Sequence, residues 1–130
     1  MDIPVTKFFV RTPKPRPHFY TVAEFLWGEG VSIDSDGDCA FPDDRTWTEL
    51  TAERRTGDGR VDVDPVSTEP LTLVVRSSSS ELAARTAYYL ARYTDGMVAE
   101  SADSEFLTWR AFESRLGQFD FESSFRRVCA

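Results

Sequence analysis

The chain has 130 residues, 41% of them apolar, which is the size and composition of one folded domain and excludes global disorder. No apolar run approaches the roughly 20 residues that cross a bilayer, and the first residues lack a signal-peptide pattern, so the sequence predicts a cytoplasmic protein without a membrane partner. The net charge of −7 repels phosphate groups, so the composition disfavours a nucleic-acid binder.

Residues 1–18 are predicted to form an edge strand followed by a proline-rich arm. Residues 5–10 have high β-propensity. In residues 11–18, prolines alternate with basic residues, and each proline restricts its predecessor to extended geometry, so we expect a stiff, basic arm. An alternative is that the arm binds in a partner's groove for proline-rich peptides. Thr21 then opens a short helical turn, which Gly28 stops.

The charge excess lies in residues 24–44, which hold seven acidic residues and no basic one, whereas outside this stretch 15 acids balance 15 bases. Residues 31–44 are predicted as a hairpin or an irregular loop. Three acids match positions 1, 3 and 5 of a calcium loop: Asp34, Asp36 and Asp38. Cys39 stands where that loop needs glycine, and Arg45 where it needs a bidentate glutamate, so no metal or other cofactor is predicted.

Residues 45–55 and 60–64 are predicted as two strands joined by a turn. Residues 70–101 are predicted as a strand, a helix and a second strand. Ser78 and Glu81 have the spacing of a capping box, and Gly96 suits the left-handed position that ends a helix. This order predicts a right-handed crossover that joins two parallel strands. We expect one of the adjacent Tyr88 and Tyr89 to be exposed.

The C-terminal part is predicted to contain two helices. Asp103 or Ser104 caps the first, of about twelve residues, and Phe121, Phe125 and Val128 share one face of the second. The prediction is therefore a single α+β domain over residues 1–130, with a mostly antiparallel sheet of about five strands, three helices and one βαβ crossover at residues 70–101.

Motifs of catalysis are missing from the sequence. The lone His18 lies in the proline-rich arm, and no glycine-rich phosphate loop or nucleophile elbow is present. Cys39 and Cys129 have no zinc-ligand spacing and are not expected to form a disulfide in the cytoplasm. No catalytic or metal-binding residue is predicted. A small acid-dependent enzyme remains an alternative, because a catalytic pair of carboxylates has no sequence motif.

Residues 70–101 resemble small immunity proteins of bacterial polymorphic-toxin systems. The resemblance lies in a strand, a serine cap, the Ala/Leu-rich helix ELAARTAYYLARYTDG and the short strand MVAES. It implies a non-enzymatic protein that binds a co-encoded toxin, often a basic nuclease, and blocks its active site. It carries over no catalytic residues.

The acidic stretch suits such a role, because carboxylates on a loop can occupy a site built for phosphates and an opposite field speeds association. The predicted surface for a basic protein partner consists of Glu29, Asp34, Asp36, Asp38, Asp43 and Asp44. A loop that only keeps the protein in solution would carry the same charge. A structural or assembly subunit of a phage or secretion system, whose arm clasps a neighbour, is a further alternative. The oligomeric state is left open.

Overall fold

The computed structural model describes residues 4–41 and 44–129. Within them, an antiparallel sheet of seven strands carries four helices, so the predicted α+β class is confirmed and the predicted counts of strands and helices are too low. The strands are β1 Thr6–Arg11, β2 Ile33–Gly37, β3 Leu50–Arg54, β4 Arg60–Thr68, β5 Leu71–Ser77, β6 Met97–Ala99 and β7 Leu107–Thr108. The helices are α1 Phe19–Trp27, α2 Ser80–Thr94, α3 Trp109–Phe112 and α4 Phe121–Cys129, with a 3₁₀ turn at Glu113–Leu116.

The strand order in the sheet is β2-β3-β4-β5-β1-β6-β7. The prediction of an edge strand near the N-terminus is wrong, because β1 pairs with β5 on one side and with β6 on the other. Its side chains fit a central place in the sheet: Phe8 and Val10 are buried on one face, and Phe9 is half-buried on the other. Helix α2 carries the chain from β5 to β6 across β1, so β5 and β6 are parallel, as predicted, but are not neighbours.

Both predicted caps of α2 are one residue away from the observed ones. Ser79, not Ser78, is the N-cap, and its hydroxyl accepts a hydrogen bond from the Leu82 N–H at 3.2 Å. Asp95, not Gly96, takes the left-handed conformation after the helix. Gly96 is required for a different reason: a Cβ there would lie 1.9 Å from the carbonyl oxygen of Arg11 on β1.

The prediction that one of the two adjacent tyrosines is exposed is also wrong, because both are fully buried. Tyr89 stacks on Phe25 of α1 at 4.7 Å, and its hydroxyl donates to Thr21 Oγ1 at 2.7 Å. The Tyr88 hydroxyl donates to Glu113 at 2.7 Å. Helix α2 is therefore covered on both flanks, by α1 and by the C-terminal segment, and both tyrosine hydroxyls have a partner.

The C-terminal segment follows the prediction only at its end. No helix starts at Asp103 or Ser104 in the described chain. The residues that follow are extended and form β7, which pairs with β6. Thr108 then caps the short α3. The last helix is confirmed as α4, and its three apolar residues Phe121, Phe125 and Val128 pack against the core. None of the described helices combines the length and apolar character that a bilayer span requires.

Candidate binding surface at the acidic end of the sheet

The strand β2, at one edge of the sheet, displays two of the predicted acids. Asp34 lies opposite Glu53 of β3 and Asp36 opposite Thr51. These four side chains share the sheet face opposite to the one on which Leu50 and Ala52, which alternate with Thr51 and Glu53, are buried. They therefore project from the sheet face on which no described helix packs. Asp34 lies 3.4 Å from Arg55, but both side chains are more than half exposed, so the pair is weak.

Two acids of β3 and its approach join this face, and the sequence analysis did not single them out. Glu49 and Glu53 alternate with the buried Leu50 and Ala52, and this two-residue period is the signal that could have found them. Glu53 and Asp34 are like charges directly opposite each other, an unfavourable arrangement that Arg60 relieves at 3.6 Å from Glu53. We call Asp34, Asp36, Glu49 and Glu53 the acidic edge.

The acids of β4 are used within the sheet. Asp62 accepts hydrogen bonds from Thr51 at 2.7 Å and from Arg60 at 3.1 Å. Asp64 pairs with Arg76 of β5. On the uncovered face of the described chain, Asp34, Glu53, Asp62 and Asp64 thus each lie near an arginine, whereas Asp36 and Glu49 do not.

Asp38 lies just beyond β2, and its carboxylate holds the backbone. Its Oδ1 accepts from the N–H groups of Thr48 and Glu49, both at 2.9 Å, and its Oδ2 accepts from the Thr48 hydroxyl at 2.8 Å. Desolvation is the largest influence and raises the pKa, but the hydrogen bonds from Glu49 and Thr48 together outweigh it, so the pKa of Asp38 lies below its ordinary value.

Asp44 is only 6% exposed, which corrects its assignment to a partner-binding surface. Its carboxylate accepts from the Ala40 N–H at 3.0 Å, and from the Thr46 N–H and hydroxyl at 2.8 and 2.7 Å. These bonds, with that from Ala40 first, hold the pKa of Asp44 below its ordinary value, and the charge of Arg16 acts in the same direction.

The proline-rich arm is packed against the segment that these two acids shape. The Arg16 side chain is buried, with 8% of the residue exposed, and its Nε donates to the Trp47 carbonyl at 2.9 Å. The buried Trp47 indole in turn donates to the Pro17 carbonyl at 2.7 Å. Burial lowers the pKa of Arg16, while the charges of Asp38 and Asp44 act in the opposite direction. The arm is thus a fixed part of the domain.

Two predicted residues remain, Glu29 and Asp43. Glu29 lies exposed in the turn after α1. Asp43 lies outside the described residues. Of the six predicted acids, Asp34 and Asp36 thus form the exposed pair on the open face, and Asp38 and Asp44 hold the loop.

A groove lies beside the end of β2, with a volume of about 360 Å³, and we call it the β2 groove. Its apolar lining includes Phe19 of α1, Phe41 and Leu50, and the acids Asp36 and Glu49 also line it. Phe41 is 55% exposed. One Asp36 oxygen accepts from the Gly37 N–H at 2.9 Å.

The described residues contain no cluster of three potential metal ligands. Both cysteines are free thiols. Cys129 is exposed at the end of α4, but desolvation of its sulfur raises the pKa of the thiol and so works against the reactive thiolate. His18 precedes α1, and its backbone carbonyl accepts from the Thr21 hydroxyl at 2.7 Å.

Comparison of the chain with known proteins found no matching family, no matching curated protein and no matching solved structure.

Proposed function

We propose that the protein is a cytoplasmic, non-enzymatic binding protein of the immunity type, which neutralises a basic protein toxin by docking its acidic edge on that partner. The observation that carries the proposal is the placement of Asp34, Asp36, Glu49 and Glu53 together on an exposed sheet edge, on the face that no described helix covers. Opposite fields on two proteins accelerate their encounter and fix their orientation.

The composition of this surface supports a protein partner. The exposed Phe41 lies beside the acids, and aromatic side chains supply much of the energy at protein interfaces. A surface of carboxylates repels nucleic acid, and the same carboxylates can occupy a phosphate-binding site of a nuclease. The two free thiols fit a reducing compartment. The resemblance of residues 70–101 to immunity proteins points to a toxin as the basic partner.

The contacts of the arm do not favour an assembly role. Arg16 and Pro17 bond to Arg45 and Trp47 of the same chain, so this part of the arm is engaged within the domain.

The test is capture of the tagged protein's partner from its native cells at low salt, followed by purification of that partner. We expect one basic protein that binds stoichiometrically, dissociates as salt rises and loses its activity in the complex. The D34K/D36K variant should bind it about tenfold more weakly or worse. Its unfolding free energy should change by less than about 0.5 kcal/mol, because both side chains are exposed and lysine is common on edge strands.

A matched control is the D103K/E105K variant. It changes the net charge equally, at two exposed positions with the same spacing in the loop between β6 and β7. It should bind the partner like the wild type. Equal weakening by both variants would mean that only net charge matters and would contradict a defined acidic edge; a partner that is not basic would contradict the proposal as a whole.

A further inference from the structure

The β2 groove offers the two features that a long cationic side chain uses. Phe19, Phe41 and Leu50 are the large apolar residues of its lining, and the acidic residues Asp36 and Glu49 also line it. Lysine and arginine lay their methylene stems along apolar surface while the charged end reaches polar groups. We propose that this groove receives one lysine or arginine side chain of the basic partner, an inference that rests on the proposed function.

The charges around the groove select a cation. In the described chain, neither Asp36 nor Glu49 lies within ion-pairing distance of a basic side chain, whereas Asp34, Glu53, Asp62 and Asp64 each have an arginine. A cation from outside is therefore the natural counter-charge for these two acids. The exposed ring of Phe41 adds a face over which a cation is attracted.

The size of the groove suits a side chain. Its volume of about 360 Å³ lies at the small end of the range of about 300–1,000 Å³ in which proteins bind small ligands. An adjoining depression of about 260 Å³ shares Asp36, Gly37, Glu49 and Leu50 with it and reaches Asp64. The residues that flank the anchored side chain on the partner can thus lie over the acidic edge.

One glycine lets the two acids border the same groove. A Cβ at Gly37 would lie 2.1 Å from the carbonyl oxygen of Glu49, so the end of β2 approaches the start of β3 this closely only with glycine at that position. The Asp38 N–H donates to the same carbonyl at 3.3 Å. The groove is therefore built by the backbone, and its side chains can be changed without removing that contact.

The experiment is a titration of the ¹⁵N-labelled full chain with a tetralysine peptide at low salt, followed through the amide resonances. The same peptide with acetylated lysines, which keeps the stems and loses the charge, is the probe control. We expect shifts centred on the amides of residues 35–41 and 49–50, and none with the acetylated peptide. F41A, which leaves both carboxylates in place, should weaken binding about threefold or more. E49Q should do the same, and the control D103N/E105Q should bind like the wild type.

Three results would overturn the inference or its basis, and they are distinguishable. Shifts at Asp34 and Glu53 but not at the groove, with F41A binding like the wild type, would overturn the groove and leave the acidic edge intact. Equal shifts with the acetylated peptide would show an apolar site and overturn the cation. A tetralysine peptide that does not bind near β2 at all would overturn the proposed function as well.

Discussion

Asp36 and Asp38 lie two residues apart and carry the same chemical group, yet they do different work. Asp36 belongs to strand β2 and uses one oxygen on its own neighbour, the Gly37 N–H. Asp38 lies in the loop and uses both oxygens on Thr48 and Glu49. The difference shows that the number of acidic residues in a segment does not give the number of carboxylates available to a partner, because some carboxylates accept hydrogen bonds within the fold.

The cause is that backbone N–H groups need hydrogen-bond acceptors. A strand satisfies its N–H groups on the neighbouring strand, so its outward side chains stay free. In the loop, the N–H groups of Ala40, Thr46, Thr48 and Glu49 donate to carboxylates of the two loop acids instead. Asp38 and Asp44 then act on the pKa of the buried Arg16, so the fold uses their charge too.

The largest effect should come from removing the cation shared by the loop acids. Arg16→Met leaves the buried Trp47 carbonyl without this donor and removes the positive charge that acts on Asp38 and Asp44, and we expect a loss of about 2–3 kcal/mol of unfolding free energy. Lys14→Met, an exposed basic residue of the same arm, should change it by less than about 0.5 kcal/mol. Urea unfolding measures both. Equal stability of the two variants would contradict a structural arm.

An intermediate effect on the unfolding free energy should distinguish Asp38 from Asp36. Asp38→Ala removes the acceptor of three hydrogen bonds and should cost about 1–2 kcal/mol of unfolding free energy, discounted for the exposure of the side chain. Asp36→Ala should cost less than about 0.5 kcal/mol. If Asp36→Ala were the more destabilising, the division between strand acids and loop acids would be wrong.

The smallest effect should appear in the pH dependence of the difference in unfolding free energy between the wild type and Asp38→Ala. The pKa of Asp38 is lowered in the folded state, so its contribution is fully present above the unfolded pKa of about 3.9 and is lost as the pH falls through the folded pKa. The gap in unfolding free energy between the wild type and Asp38→Ala should therefore be constant near neutrality and narrow below about pH 4. Thermal unfolding from neutral to acidic pH measures it, and a gap that widens with acid would contradict the assignment.

The parts of the fold that depend on neighbouring residues could be predicted from the sequence. The apolar stripe of α2, the strands on either side of it and the face of α4 each follow from spacing within a few residues. The predicted N-cap is one residue too early, because the spacing to Glu81 favours Ser78, whereas Ser79 is an equally suitable cap residue and is the one that the path of the chain selects. Gly96 was assigned to a helix end, whereas its contact with Arg11 of β1 is what requires glycine.

Parts that depend on distant residues could not be predicted. β1 was expected at the edge, but α2 passes over it and places it between β5 and β6. Tyr88 and Tyr89 are both buried because Glu113 and Thr21, far along the chain, supply their hydrogen-bond partners. The segment expected as a helix near Asp103 extends instead to pair with β6. In each case a long-range contact overrides a local preference.

The sequence by itself determined that this is an α+β domain with a mostly antiparallel sheet, and that its excess negative charge lies in residues 24–44. Only the tertiary structure decided which of those charges face solvent. The physical reason is that the backbone N–H groups and cations around a carboxylate decide whether it is engaged within the fold or free for a partner. Arg16, Thr48 and Glu49 reach the loop acids only when the chain folds. What remains outside, on β2 and β3, is the surface proposed for a basic partner.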